Sequence, residues 1–343
     1  MGCHDPEEPE HHGRNLIVQR GMQVGSDRWT AVVARLFAAD PTDVRVTADL
    51  LSIGVREFPI DRGVVLLDQT QVDEVSERGT GEDVRRSFSE EWQTYGSILP
   101  EHDEEFTAYF DLVDLGSLKG SIAVDLGCGS GRWSTKLATH VDAIVLVDFS
   151  DAIFVARDNL AEADNALFFR GDVTSLPFAN NSVDFLFSLG VLHHLDRPCL
   201  SVAGDLMRLG PRGLFYLYYA LDNRPSYYRH LLAVVTAARR SLGRVESDRA
   251  RRRISRAMAW GVYRPMVGLG AAAHTVGLKA PVPLYESYRG KSIDRIEQDA
   301  YDRFFTSIEQ RVSREEISRE FEPEFQVSFS DREPYWHFLV QSR

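Results

Sequence analysis

The chain has 343 residues, 43% of them hydrophobic and 26% charged, enough apolar material for one large or two ordinary globular domains. This composition excludes collagen-like, solenoid and intrinsically disordered classes. A formal charge of -12 opposes whole-surface attraction to DNA or RNA, because counterion release needs a basic surface.

From the N-terminus, residues 1–14 read as a flexible leader. They are acidic and carry His4, His11 and His12 where a secretory signal is basic and then apolar, so a cytoplasmic protein is expected. Residues 15–85 read as a small β-containing domain with its linker. Short apolar runs at 16–18 and 50–53 precede two β-type runs, 55–60 and 64–67, joined by Asp61, Arg62 and Gly63 as a hairpin. Residues 68–83 are polar and linker-like. From residue 86 the text turns helical to about 118, with Phe88, Trp92, Tyr95, Phe106, Tyr109 and Phe110 near helical spacing, a pattern that suits packing.

Between residues 120 and 220 short apolar runs alternate with helical text. The runs 121–125, 143–148, 166–171, 183–188 and 213–219 suit strands of a parallel sheet buried on both faces. The expected core, 86–220, is therefore α/β and Rossmann-like. Residues 221–312 read as a helical insertion, and 313–343 close the core with a helix at 313–321 and strands at 325–329 and 335–341. The longest weakly polar stretch, 265–278, contains His274 and falls short of the roughly 20 apolar residues of a membrane span. Cys3, Cys128 and Cys199 are scattered, giving neither a disulfide framework nor a paired-cysteine zinc site, and no metal is expected.

The chemistry concentrates at strand ends. Residues 124–132 read Val-Asp-Leu-Gly-Cys-Gly-Ser-Gly-Arg, where a strand should give way to a helix. Gly127, Gly129 and Gly131 permit positive φ and let a ligand lie against bare backbone. The spacing is G-x-G-x-G after an acid, not the G-x-G-x-x-G of a dinucleotide site. Asp125 would repel a pyrophosphate and suits a cationic ammonium, and S-adenosylmethionine (SAM) carries an ammonium, a ribose and no phosphate. Asp148, ending the second strand, can accept from both ribose hydroxyls. Phe149 can pack on the adenine. At the third strand end Asp172 can accept from the adenine amine while the Val173 N–H donates to the ring. Ser188 and Leu189 end the fourth strand beside the methionyl group. Each acid alone would serve as a helix cap, and it is their recurrence at consecutive strand ends that points to a cofactor.

These motifs resemble the class I SAM-dependent methyltransferases, in the type 11-like group that bears V-D-L-G-C-G-S-G-R, G-D-V-x-x-L-P-F and S-x-G-V-L-H-H-L. They stand here at 124–132, 171–178 and 188–195. The resemblance implies a seven-stranded sheet whose last strand is antiparallel, with Gly127, Gly129, Asp148, Asp172 and Val173 lining the cofactor pocket. It also implies, through an F-x-x-E-W-x-x-Y element at 88–95, that Trp92 and Tyr95 lie near the methionyl end. The hairpin at 56–67 resembles, over a short stretch, a zinc-ribbon-like domain that has lost its cysteines.

His193 and His194 follow the fourth strand and are candidates for the catalytic base, an imidazole being able to take a proton near neutral pH. Positioning alone is the other reading, since methyl transfer needs in-line approach. Residues 222–264 hold eleven arginines against Asp222, Glu246 and Asp248, which reads as a solvated helix, an anionic-substrate pocket or a patch touching lipid or phosphate. Tyr263, Tyr285, Tyr288 and Arg289 are candidates for substrate contact. The insertion is expected to cover the active site, or else to serve as a homodimerisation element. The expected activity is methyl transfer from SAM to an oxygen or nitrogen of a small-molecule acceptor. The other readings are a SAM-fold protein that binds without transferring, and an RNA methyltransferase, which the net charge opposes.

Overall fold

The structure is a computed structural model that describes residues 26–67, 98, 101–220, 226–242, 244–245, 247–277, 282–305, 308–331 and 337–343. It begins with helix α1, Asp27–Phe37, capped by the Ser26 hydroxyl accepting from the Trp29 N–H. Trp29, Val32, Val33, Leu36 and Phe37, spaced as one helical face, are buried. Strands β1 (Val44–Val46), β2 (Leu50–Ile53), β3 (Arg56–Asp61) and β4 (Val64–Leu66) follow as an antiparallel meander. The expected hairpin is β3–β4. Its turn places Arg62 at φ 48° and Gly63 at φ 80°, two consecutive left-handed residues matching the twist of the flanking strands.

Helix α2 is Glu101–Tyr109. The core then alternates β5 (Ile122–Leu126), α3 (Ser134–Leu137), β6 (Ala143–Asp148), α4 (Ala152–Asn159), β7 (Ala166–Arg170), β8 (Phe185–Leu189), α5 (Cys199–Leu206) and β9 (Arg212–Tyr216). Five short apolar runs thus become five strands, β5 to β7 with all but one residue buried. The insertion contains α6 (Ser226–Leu242), α7 (Asp248–Met258), a π-helical turn Ala259–Tyr263, α8 (Arg264–Thr275), a short turn Tyr285–Tyr288 and α9 (Ile293–Phe305). Helix α10 (Arg314–Phe321) starts with a reciprocal cap between Ser313 and Glu316, and β10 (Phe325–Phe329) and β11 (His337–Ser342) close the chain.

Among the described residues the strands form one eleven-stranded sheet in the order β1-β2-β3-β4-β7-β6-β5-β8-β9-β11-β10. The seven strands from β7 to β10 are the expected Rossmann-like sheet. β4, β7, β6, β5, β8 and β9 run parallel, and β11 is antiparallel to both neighbours. Beyond the expectation, the N-terminal meander is stitched to the edge of this sheet by β4 on β7. Its apolar residues join those of the core, Leu51, Ile53, Phe58, Ile60 and Val65 in the cluster that contains Phe37, and Val64 and Leu66 in a second, with Phe37 packing on Phe58 at 5.4 Å and on Phe178 at 5.6 Å. Arg35 adds a two-pronged ion pair with Asp184 at 2.7 and 3.1 Å.

Among the described residues the insertion has two apolar clusters of its own. Tyr263, Tyr288, Ile296 and Ala300 form one, and Tyr301, Phe304 and Phe305 with Val235, Ile254 and Met258 the other. It is tied to the core by charge. The Glu105 carboxylate on α2 accepts from Lys291 Nζ at 2.8 Å and Arg295 Nε at 3.4 Å, while Arg295 also pairs with Asp299. A second tie is residues 308–312, where Val312 bridges Tyr219 and the Ala220 N–H donates to the Val312 carbonyl.

Candidate active site

The chain runs outward in sheet order β5, β6, β7 and then crosses to β8 on the other side of β5. The carboxyl ends of β5 and β8 thus flank a switch point, where open α/β sheets bind ligands. Register aligns these ends, Leu126 lying beside Val147 and Asp148 beside Arg170. The loop leaving β5 has Gly127, Gly129 and Gly131 at φ 81°, 54° and 73°. Two of the glycines are required by packing as well, for a Cβ on Gly127 would lie 2.5 Å from Val191 Cγ1 and one on Gly131 2.8 Å from Leu160 Cδ1.

Asp148 holds the loop in shape. Its Oδ2 accepts from the Gly129 N–H at 2.9 Å, and its Oδ1 accepts from the Ser150 N–H at 2.9 Å and the Ser150 hydroxyl at 2.6 Å. Asp125, inside the loop's base, accepts from the Ser134 hydroxyl at 2.6 Å. Both carboxyls are buried. Burial pushes Asp125 up to about 7, with the Asp148 charge adding to the effect and the Ser134 hydroxyl and Arg132 opposing it. Burial likewise raises Asp148 against the pull of its hydrogen bonds to Ser150 and Gly129.

At the end of β7, Asp172 is exposed and its Oδ1 accepts from the Thr174 N–H at 2.7 Å, while Val173 is buried. Phe149 and Leu189 are half-buried. The Ser188 hydroxyl, fully buried, donates to the Leu126 carbonyl at 2.8 Å and so ties β8 to β5. Trp92 and Tyr95 lie outside the described residues.

His193 and His194 form a single 3-10 turn after β8, Leu192–His194. The His193 ring is fully buried, stacked on Tyr218 at 3.9 Å, and both its nitrogens lack a hydrogen-bond partner among the described residues. Burial, reinforced by His194, Arg311 and Arg239, holds it well below the usual imidazole range, so it is neutral at pH 7. His194 Nδ1 lies 2.8 Å from the Ile308 carbonyl. The insertion residues divide. Tyr263 and Tyr288 are buried edge to face at 5.1 Å within the insertion, Tyr285 lies against Gly270, and Arg289 is exposed.

Several residues at the site escape a reading by motif. Ser150 and Ser134 complete the two acids, and Asp148-Phe149-Ser150 is a recognisable Asx-type turn signal. Gln310 has no such local signal. Its Nε2 donates to the Leu195 and Arg197 carbonyls, both at 2.7 Å, its Oε1 accepts from the Cys199 N–H at 3.0 Å, and its N–H donates to the His193 carbonyl at 2.8 Å. Only tertiary structure brings position 310 beside 193.

Residues 123–209 match the family model described as the methyltransferase domain. A demethylmenaquinone methyltransferase of Staphylococcus aureus is 29% identical over 107 residues, which is 30% of this chain and 44% of that protein. The chain thus matches less than half the length of these curated relatives. Among solved structures, a SAM-dependent methyltransferase from Aquifex aeolicus is 15% identical with a TM-score of 0.40, covering 74% of this chain and 97% of that one. The DhpI complex with S-adenosylhomocysteine (SAH) is 12% identical with a TM-score of 0.44, covering 76% and 96%.

Proposed function

We propose that this chain, whose residues 123–209 form a methyltransferase domain of class I fold, transfers a methyl group from SAM to an oxygen or nitrogen of a small-molecule acceptor. The observation that carries the reading is the glycine loop gripped by Asp148, with a second buried acid, Asp125, at its base. Two adjacent carboxyls disfavour a phosphate and suit a ligand with an ammonium and a diol. When bound, SAM supplies an electrophilic methyl on a positively charged sulfur.

The chain's own residues then have distinct tasks. A carboxylate has about four lone-pair sites, and Asp148 fills three of them within the protein, which leaves one to accept from a ribose hydroxyl. Asp172, with one oxygen engaged by Thr174, keeps the other for the adenine amine beside Val173. Asp125 balances the ammonium. Phe149 and Leu189 offer apolar surface, and Trp92 and Tyr95 remain proposed for the methionyl end. His193 is the proposed base. Leaving a buried polar atom unpaired costs about 1–3 kcal/mol, and a neutral imidazole so placed retains the lone pair needed to take the acceptor's proton. His194 orients the same turn through Ile308. Since Tyr263 and Tyr288 serve the insertion's packing, Tyr285 and Arg289 are the proposed acceptor contacts.

Incubation with methyl-labelled SAM and a fractionated cell extract tests this reading. Label entering the small-molecule fraction supports it, and label entering RNA would replace it with RNA methylation. Tight SAM binding without transfer to either fraction would favour a protein that only holds the cofactor.

A further inference from the structure

The His193 ring makes no hydrogen bond among the described residues, so its direction is set by its ring neighbours and by the backbone that carries it. Tyr218 stacks on it at 3.9 Å, and His194 lies against it at 4.1 Å. His193 follows β8 while Tyr218 follows β9, so the stack spans two separate loops. Segment 308–312 grips both. Toward His193, the Gln310 N–H donates to the His193 carbonyl at 2.8 Å, its Nε2 donates to the Leu195 and Arg197 carbonyls, both at 2.7 Å, and its Oε1 accepts from the Cys199 N–H at 3.0 Å. Toward Tyr218, the Val312 N–H donates to the Tyr218 carbonyl at 2.9 Å, and Arg311 Nη1 donates to the Tyr219 carbonyl at 3.1 Å. The segment is fastened in turn to the insertion. Glu309, its side chain 7% exposed, pairs with Arg311 and with Arg239 of α6, both at 2.6 Å.

We propose that Gln310 is a positioning residue that sets the pose of the His193 ring against Tyr218, and that the Glu309–Arg239 pair makes this pose depend on the seating of α6. The proposal rests on the reading of His193 as the base. A side chain that makes three hydrogen bonds to one loop fixes that loop's path, since each backbone group released must find a new partner. The imidazole has no such bonds of its own, so a shift of the loop passes directly to the ring. A reacting group displaced by about 1 Å can lose roughly 100-fold in rate. The plainer role for Gln310 is a cap on α5, whose first N–H is that of Cys199. A cap accounts for the bond to Cys199 and leaves those to the Leu195 and Arg197 carbonyls unexplained. The insertion also carries the proposed acceptor contacts, Tyr285 and Arg289, so the Glu309–Arg239 pair links their element to the base.

NMR of the full chain, isotope-labelled at histidine Cε1, tests the pose directly, with His193→Ala identifying the His193 signal. Spectra are read at about pH 8, above the ordinary imidazole value of about 6.5, so that protonation does not contribute. Tyr218→Leu, which removes the stacked ring, calibrates the displacement. Gln310→Met should move the His193 signal at least halfway toward its position in Tyr218→Leu, and Arg239→Gln should move it in the same direction. With methyl-labelled SAM and the small-molecule fraction, the two variants should slow transfer by about 100-fold and about tenfold, while SAM affinity by calorimetry stays unchanged. A signal that stays in place in Gln310→Met, whatever the melting temperature, overturns the positioning role. One that moves there and stays in place in Arg239→Gln overturns the dependence on α6. Should Gln310→Met not fold, Gln310→Asn, shorter by one methylene, takes its place. A wild type that binds SAM and transfers nothing would remove the reading of His193 as a base, and the spectra would still decide the pose.

Discussion

A carboxyl buried like that of Asp125, with a serine hydroxyl as its partner, resists ionisation until about pH 7. Unfolded, it ionises near the ordinary aspartate value of 3.8. Because the folded form binds the proton more tightly, Asp125 detracts increasingly from stability as pH rises from about 4 to 7, at up to ~1.4 kcal/mol per pH unit. Asp125→Asn keeps an acceptor for Ser134 and removes the charge. Its melting advantage over wild type should therefore grow across that window and then level off. An advantage that does not change with pH would contradict the assignment. His193 behaves in the opposite sense. With its folded value depressed, its contribution is lost as pH falls below the usual 6.5 of an imidazole. If it takes the acceptor's proton, His193→Ala should lower turnover about 100-fold with cofactor affinity nearly unchanged. Unchanged turnover in His193→Ala, His194→Ala and the double variant would leave positioning as the whole mechanism. At this scale the sequence was most legible where a local motif fixes the backbone, as in the glycine loop and Asp148. It was opaque for Gln310 and Glu105, whose partners lie more than a hundred residues away.

Helices α2 and α9 are joined by the largely buried carboxylate of Glu105. Its carboxyl is held down at about 2 by Arg295 and Lys291 against strong desolvation. This contribution is present above the ordinary value of 4.5 and lost as pH falls toward 2. Glu105→Ala would strand the buried Arg295 with Asp299 alone. Removing one partner of a buried pair costs about 3–5 kcal/mol, and the loss should appear as early proteolytic cleavage within residues 226–305 while the core stays resistant. Cleavage at the wild-type rate would show that the apolar clusters hold the insertion without this tie. The strand runs of the core were legible where burial on both faces writes them as nearly unbroken apolar text, as in β6 at 143–148, and β10 came out at 325–329 from the alternation of Phe325, Val327 and Phe329 with polar residues. Helix α1 was not among the expected elements, although Trp29, Val32, Val33, Leu36 and Phe37 carry the helical spacing. Short β-type runs nearby dominated that stretch.

Over the whole molecule, the sheet shows why the N-terminal block reads as separate in sequence yet is continuous in structure. Its strands have ordinary hairpin signals, and nothing local announces that Val64, Val65 and Leu66 will pair with Phe168, Phe169 and Arg170. We expect deletion of residues 1–67 to bare the edge of β7 and remove Trp29, Phe37 and Phe58 from a shared core. Exposed parallel edges invite aggregation, so the shortened chain should be recovered mainly as insoluble protein. A soluble product melting like the full chain would identify the block as an independent domain.

Calorimetric titration of SAM and SAH into the wild type and Asp148→Ala tests whether the loop held by Asp148 binds the cofactor. Loss of the ribose acceptor and of the Gly129 tether should cost about 2–4 kcal/mol, charge-assisted hydrogen bonds contributing roughly 1.5–3 each before water takes their place. The predicted result is saturable binding of both ligands to the wild type, weakened roughly 30- to 1000-fold in the variant. A wild type that binds neither ligand, or a variant that binds as tightly as the wild type, would contradict it.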